Sequence, residues 1–439
     1  MTTLRITGGQ VLRPDMTIEE ADVLVDEDEG TILAVDDPAA IDDVEGADVA
    51  AELDAEGDLV IPGLINAHTH VAMTLLRGLA DDKPLDAWLQ EDIWPVEAEL
   101  TPGDVRVGAE LGILEMIRSG TTTFSDMYFE VDRIAEAVEA AGVRAVLGHT
   151  AITVGKDDDA AAADVEESVA VAKALDGAAD GRISTTIQPH SLTTVSEDAL
   201  GELAEAAAQA DLPLHFHANE TADEVHPFVR EHDERPLSVA DDLGLLGENS
   251  ALAHCVHVDT TEIELLAETG SGVVHCPASN MKLASGMAPI QLLLDHDVPV
   301  AIGTDGAASN NDLDVFDELR DAAMIGKLAA NDASAVAAEA AVAMATTGGA
   351  DVLGIDAGRI EPGAAADLAV IDLDAAHLTP AHDLVSHLAY AARGSDVRHT
   401  VCDGQVLMED REVTTLDAAG VRERAAEHAA ALVDRAGDD

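Results

Sequence analysis

Basic residues are scarce in this chain: 23 Lys and Arg stand against 87 Asp and Glu in 439 residues, for a formal charge of -64 at pH 7. The acids are spread along the whole sequence, which describes a solvated surface and not an acidic tail. Such a surface repels nucleic acid, anionic lipid and other copies of itself, so neither nucleic acid nor membrane is an expected partner. Compaction is easiest where salt screens that repulsion, as in the cell of a halophile. The melting temperature is therefore expected to fall as salt is withdrawn, and a Tm indifferent to KCl concentration would refute this reading.

Cysteine is nearly absent too. Cys255, Cys276 and Cys402 are too few and too scattered for a disulfide framework, and no CxxC suggests a redox or thiolate metal site. A reducing cytoplasm fits best. No apolar run reaches membrane-spanning length, and the opening MTTLRITGGQVLRPDM lacks an apolar signal core, so nothing marks export or insertion. Charge alone would suggest disorder, but 47% hydrophobic residues point to a buried core, and the length allows one large unit plus a smaller one.

What is present falls into three parts. Residues 1–58 read as short strands and turns (LRITGG, ADVLVDEDEGTILAV, then a polar stretch leading to GDLVIPG), and that texture returns after Gly358 in GRIEPGAAADLAVIDLD and RHTVCDGQVLM. The two ends, 1–58 and 358–439, are expected to share one small β-sandwich, with a helix from about Ala418. Between them, over 59–357, strand-length apolar runs alternate with Ala/Leu/Glu stretches of helical period. Eight strand candidates can be placed: LVIPGLINAHTH, TTTFSDMY, RAVLGHTAI, ISTTIQPHS, LPLHFHANE, SALAHCVHV, SGVVHCPAS and VPVAIGTDG. Eight βα units predict an α/β fold, a (β/α)8 TIM barrel. The biased stretch KDDDAAAADVEES is expected to be an exposed loop entering a helix.

His68, His70, His149, His190, His217, His254 and Asp305 all fall towards the C-terminal ends of those strands, the side of such a barrel where active sites lie. Alternation along a strand puts His68 and His70 on one face, able to bind one cation together. His217 and Asp305 complete three imidazoles and a carboxylate, a donor set suited to Zn²⁺, with Fe²⁺ or Mn²⁺ as alternatives. His215 shares the face of His217 and stays open as the ligand in its place. Glu220, three residues past His217, is placed to curl back and transfer a proton, and His254 to orient or polarise. His257 and His275 read as structural. The fourth strand ends in QPHS without lysine, so a carbamylated lysine bridging two metals has no source and a single ion is expected.

These residues resemble the amidohydrolase superfamily, in its cytosine-deaminase-like branch with HxH, HxxE, a later His and a final Asp. The resemblance spans nearly the whole chain. Within the branch, PGLINAHTHVAMTLLRGLADDKPLDAWL, WPVEAEL, AHCVHVD, PASNMKLASGMAPI and GTDGAASNN are similar to the 5-methylthioadenosine/S-adenosylhomocysteine deaminases. The resemblance implies that His68, His70, His217 and Asp305 hold the metal, Glu97 binds ribose hydroxyls, and His190 and Ser309 line the substrate pocket with Trp88 as an apolar wall. It implies hydrolytic deamination of an adenine ring, with Asp305 taking the water proton, Glu220 protonating the ring nitrogen and His254 steadying the tetrahedral centre. One departure stands out. Members that accept S-adenosylhomocysteine are similar in carrying arginines after the third strand, whereas here no Arg lies between Arg144 and Arg182, and His149 occupies the approximate place of one. A bidentate carboxylate clamp is lost, and methylthioadenosine, 5'-deoxyadenosine or adenosine makes less demand on that region than S-adenosylhomocysteine. The rivals are a guanine- or triazine-type hydrolase of the same site and a catalytically silent barrel. A homo-oligomer is the expected assembly.

Overall fold

The computed structural model describes residues 2–42, 44 and 48–437. Strands from both ends of the chain hydrogen-bond into one mixed nine-stranded sheet. Thr2–Leu12 pairs antiparallel with Ile18–Asp26, which turns back into Thr31–Asp36, and pairs parallel with Asp48–Asp54 and Leu59–Pro62. Leu59–Pro62 in turn pairs antiparallel with Leu368–Ile371, and Val397–Cys402, Gln405–Glu409 and Glu412–Val413 extend that edge. Alternating residues of these strands, among them Leu4, Ile6, Val23, Val25, Val60 and Val370, are buried together as an apolar cluster of their own. The polar stretch 43–47, apart from Val44, lies outside the described residues.

The run expected to be one strand from Leu59 divides at Gly63. Its first half belongs to the mixed sheet, and only its second half, β1 (Leu64–Thr69), pairs with the next parallel strand. A Cβ on Gly63 would stand 2.2 Å from Thr122 Oγ1, so the chain can change sheets here only because no side chain is present.

The seven other runs also give parallel strands: β2 (Thr121–Tyr128), β3 (Arg144–Ala151), β4 in two pieces (Ile183–Thr185 and Gln188–Pro189), β5 (Leu214–Ala218), β6 (Ser250–His254), β7 (Gly272–His275) and β8 (Val300–Ile302). β1–β4 form one parallel sheet and β5–β8 a second. Ile187 bridges Leu214 between the two sheets, and past β8 the Asp305 N–H donates to the His68 carbonyl at 3.0 Å. Buried strands of this kind read as continuous apolar runs, as AVL of β3 and ALA of β6 do here.

Helices fill the connections, and their starts are legible. Thr101 and Asp104 form a capping box on Pro102–Arg118, and Asp259 and Glu262 form another on Thr260–Thr269. The stretch after Lys156, expected to begin as a loop, is helical from Asp158 to Leu175. Asp157 caps it by accepting from the Ala160 N–H, and Asp158 and Asp159 complement the dipole in its first turn. The expected C-terminal helix runs Ala418–Gly437. Among the described residues no helix is long and apolar enough to cross a membrane.

Arg144, at the start of β3, ties the parallel sheet to the mixed one. Its Nε donates to Asp367 at 3.0 Å and its Nη2 to Asp403 at 3.0 Å, while Asp367 is only 1% exposed. Removing the guanidinium leaves that carboxylate buried and undercompensated. Arg144→Met is therefore expected to cost about 3 kcal/mol, measured as a lowered urea midpoint at fixed molar salt.

Candidate active site

The imidazoles meet where β1, β5 and β6 end. Ligand atoms of His68, His70 and His217 lie within 4.8 Å of one another, as do those of His68, His254 and Asp305, so five side chains surround one point. His70 Nε2 stands 3.2 Å and His68 Nε2 3.7 Å from Asp305 Oδ1. Two of these residues are held at positive φ, His254 at 73° and Asp305 at 60°. Non-glycine residues adopt that conformation at a cost of the order of 1 kcal/mol or more, and such strain gathers at functional sites. The first glycine of GTDG has its own reason: a Cβ on Gly303 would lie 2.8 Å from the backbone nitrogen of His68.

Hydrogen bonds decide which ring nitrogens face inward. Nδ1 of His70 donates to the Met127 carbonyl (2.6 Å), Nδ1 of His217 to the His190 carbonyl (2.8 Å) and Nδ1 of His254 to Asn280 Oδ1 (2.9 Å), which turns each Nε2 towards the cluster. His68 is the telling case. Its Nε2 is fully buried with no hydrogen-bond partner, while its Nδ1 lies 3.1 Å from His215 Nε2. An orphaned imidazole nitrogen, aimed at three others and a carboxylate, makes a donor set that could hold a divalent metal. Ser279 and Ser309 both donate to Asp305 Oδ2, at 2.6 and 2.8 Å, which turns Oδ1 to the cluster.

Electrostatics point the same way. Burial, joined by repulsion from neighbouring imidazoles, holds His68 and His217 well below the usual histidine range. Burial also opposes the cation of His70, but the hydrogen bond and charge of Asp305 and the Met127 carbonyl outweigh it and raise His70 to about 9. Asp305 is itself held well below its ordinary value: burial works to raise it, and His70, His254 and His68 overcome that.

The cluster opens into a cavity of about 570 Å³ that also carries Glu97, His190, Glu220, Ser309 and Trp88. Every residue expected to bind substrate or metal thus shares one site. Glu220 curls back as its loop position suggested, with Oε2 3.8 Å from His254 Nε2, and burial first, then the charge of Asp305, raises its pKa against the pull of His254. Glu97 accepts from the Tyr128 hydroxyl at 2.7 Å, and burial raises its pKa. Burial, with His70 and His254, lowers His190 to about 4, so it is neutral near pH 7.

Two alternatives close. His215 uses both nitrogens behind the cluster, Nε2 towards His68 and Nδ1 towards Ser125 Oγ (3.1 Å), which leaves it none to offer the centre. His149 does not stand in for a pocket arginine: it faces Asp164 at 3.3 Å and Glu167 at 3.9 Å and does not line the cavity. Ser279, Asn280, Ser285 and Tyr128 went unassigned in the sequence, and His215 was weighed there only as a ligand. The first three lie in PASNMKLASGMAPI, where the motif was visible but the contacts were not.

The family model described as Amidohydrolase family matches residues 59–407. The chain belongs to the amidohydrolase family. Over the full length of both chains it is 71% identical to a 5-methylthioadenosine/S-adenosylhomocysteine deaminase of Haloarcula marismortui. It is 45% identical to a 5'-deoxyadenosine deaminase of Methanothermobacter thermautotrophicus, over 88% of this chain and 90% of the relative. Among solved structures, an adenosine deaminase from Xanthomonas campestris with bound zinc superposes with a TM-score of 0.92 at 38% identity, covering 100% of this chain and 99% of that one. Haloarchaeal relatives accord with the salt-adapted composition, and the zinc in the Xanthomonas campestris adenosine deaminase accords with the donor set.

Proposed function

We infer that this chain deaminates the adenine ring of 5'-substituted adenosines, 5-methylthioadenosine above all, giving the inosine analogue and ammonia, with S-adenosylhomocysteine, 5'-deoxyadenosine and adenosine as further substrates. The observation that carries the reading is the cavity itself, in which a metal-type cluster, a buried acid beside an imidazole and a carboxylate suited to a diol face one another. The names of the relatives at 71% and 45% identity support the substrate class. The inter-sheet bridge at Ile187 and the Asp305–His68 backbone bond favour closure of the eight parallel strands into a (β/α)8 barrel that begins after Gly63 and not at 59, while the chain ends, with Leu59–Pro62, supply the mixed nine-stranded sheet in place of the expected sandwich.

His68, His70, His217 and Asp305 would hold one divalent ion, Zn²⁺ by preference. When bound it supplies Lewis acidity that makes water a nucleophile near neutral pH. Asp305, its Oδ2 held by two serines, would accept a proton from the attacking water and return it to the amine, whose C–N bond then breaks to release ammonia. Glu220, whose burial keeps it protonated to higher pH than an ordinary carboxyl, donates to the ring nitrogen and so draws electrons away from the reacting carbon. His254, fixed by Asn280 through Nδ1, turns Nε2 into the site, and with a hydrogen on that nitrogen it would donate to the oxygen that develops at the tetrahedral centre. His190 and Ser309 border the same space, and Glu97, steadied by Tyr128, accepts from the ribose hydroxyls.

The test is ammonia release by metal-loaded protein in molar salt. Methylthioadenosine should be turned over, and release from guanine with none from any adenosine would overturn the reading. Glu97→Gln is expected to raise KM for methylthioadenosine about tenfold with a smaller change in kcat, since it weakens a charged hydrogen bond made in the ground state as well.

A further inference from the structure

The outer part of the cavity differs in kind from its floor. The chain holds only two Trp, two Tyr and five Phe. Trp88, Trp94, Tyr128, Phe129 and Phe228 all line this one cavity, so five of the nine aromatic residues are spent on it. Trp94 and Val154, 42% and 57% exposed, mark its mouth.

Cations are missing from the same wall. Among the described residues lining the cavity none is Lys or Arg. Two basic side chains that adjoin the lining in sequence are engaged elsewhere: Lys156 pairs with Asp164 at 2.8 Å, and His149 turns to that same aspartate. His232 is the one imidazole in the outer lining, and it is already taken. Its Nδ1 lies 3.1 Å from Glu197 and its ring stacks on Phe228 at 4.0 Å between centroids.

A carboxylate entering this region would lose water and find no positive partner. An apolar group, or one ending in an ammonium, would find aromatic faces and the carboxylates of Glu197 and Glu231. We propose that the outer cavity selects 5'-substituents without a carboxylate, and that Glu197 is a specificity-determining residue because it occupies His232. This rests on the deaminase reading above and narrows its substrate class to uncharged or cationic 5'-thioethers and deoxynucleosides, with the amino-acid thioether disfavoured.

Three substrates separate size from charge at molar salt: methylthioadenosine, S-adenosylhomocysteine, and the latter's decarboxylated analogue 5'-(3-aminopropylthio)-5'-deoxyadenosine. The analogue keeps the chain and the ammonium and lacks only the carboxylate. Its kcat/KM is expected to exceed that of S-adenosylhomocysteine about tenfold or more. Parity, or preference for S-adenosylhomocysteine, overturns the selection while leaving deamination intact; no turnover of any of the three overturns the underlying reading as well. In Glu197→Gln, His232 is released from its carboxylate partner, and the kcat/KM ratio of S-adenosylhomocysteine to methylthioadenosine is expected to rise about threefold. An unchanged ratio removes Glu197 from the assignment.

Discussion

Glu220→Gln is expected to lower kcat for methylthioadenosine by about 10²–10⁴-fold while the protein keeps its metal content and fold. Glutamine preserves the size of the side chain and its hydrogen bond from Ser285 Oγ, which reaches Oε1 at 3.4 Å, so packing is not disturbed. What it removes is the transferable proton. The backbone also fixes this group independently of its charge, because the Glu220 N–H donates to Glu224 Oε2 at 2.8 Å. The pH profile gives a second readout. Burial raises the Glu220 pKa, so the acid form persists below that value and is lost as pH rises through it. Wild-type kcat should therefore fall on the alkaline side, and the residual activity of the variant should lack that limb. Undiminished deamination by Glu220→Gln would sink the assignment.

How much of this was legible beforehand depends on what kind of information each feature needs. The parallel strands were readable because buried strands are apolar runs and their C-terminal ends carried His and Asp. The break at Gly63 was not, since LVIPGLINAHTH is one apolar run and only the pairing of Leu59–Pro62 with Leu368–Ile371 divides it. Local spacing put His215 and His217 on one face, and it took the partners of both His215 nitrogens to tell them apart. His149 shows the opposite failure: its position along β3 was right, but Asp164, fifteen residues later, decided where it points. Contacts of that range have no local signature, which is also why Tyr128 could not be joined to Glu97.

Stripping the metal with a chelator is expected to abolish deamination, with recovery on adding zinc, because without a Lewis acid water is far too weak an acid near pH 7 to furnish a nucleophile. The hydrogen bonds predict more than loss. In the metal-free protein His70, raised to about 9 by Asp305 against its own burial, carries a proton at pH 7.5. Its Nδ1 is committed to Met127, so the proton that must leave is the one on Nε2 facing Asp305. Metal loading at pH 7.5 should thus release close to one proton, and apparent affinity should rise with pH and level off only above about 9, once His70 has become neutral. Calorimetric titration in two buffers of different ionisation enthalpy measures that proton directly, and identical heats in both would refute it. His68 supplies the companion test. For Nε2 to bind a cation, Nδ1 must carry the hydrogen and give it to His215 Nε2, which forces the His215 hydrogen onto Nδ1 towards Ser125. His215→Phe removes that acceptor without touching a ligand, and zinc affinity measured against a competing chelator should fall about 10–100-fold. His68→Ala, which deletes the ligand itself, should lose both metal and activity, and a variant that kept its zinc would show that the ion is held elsewhere.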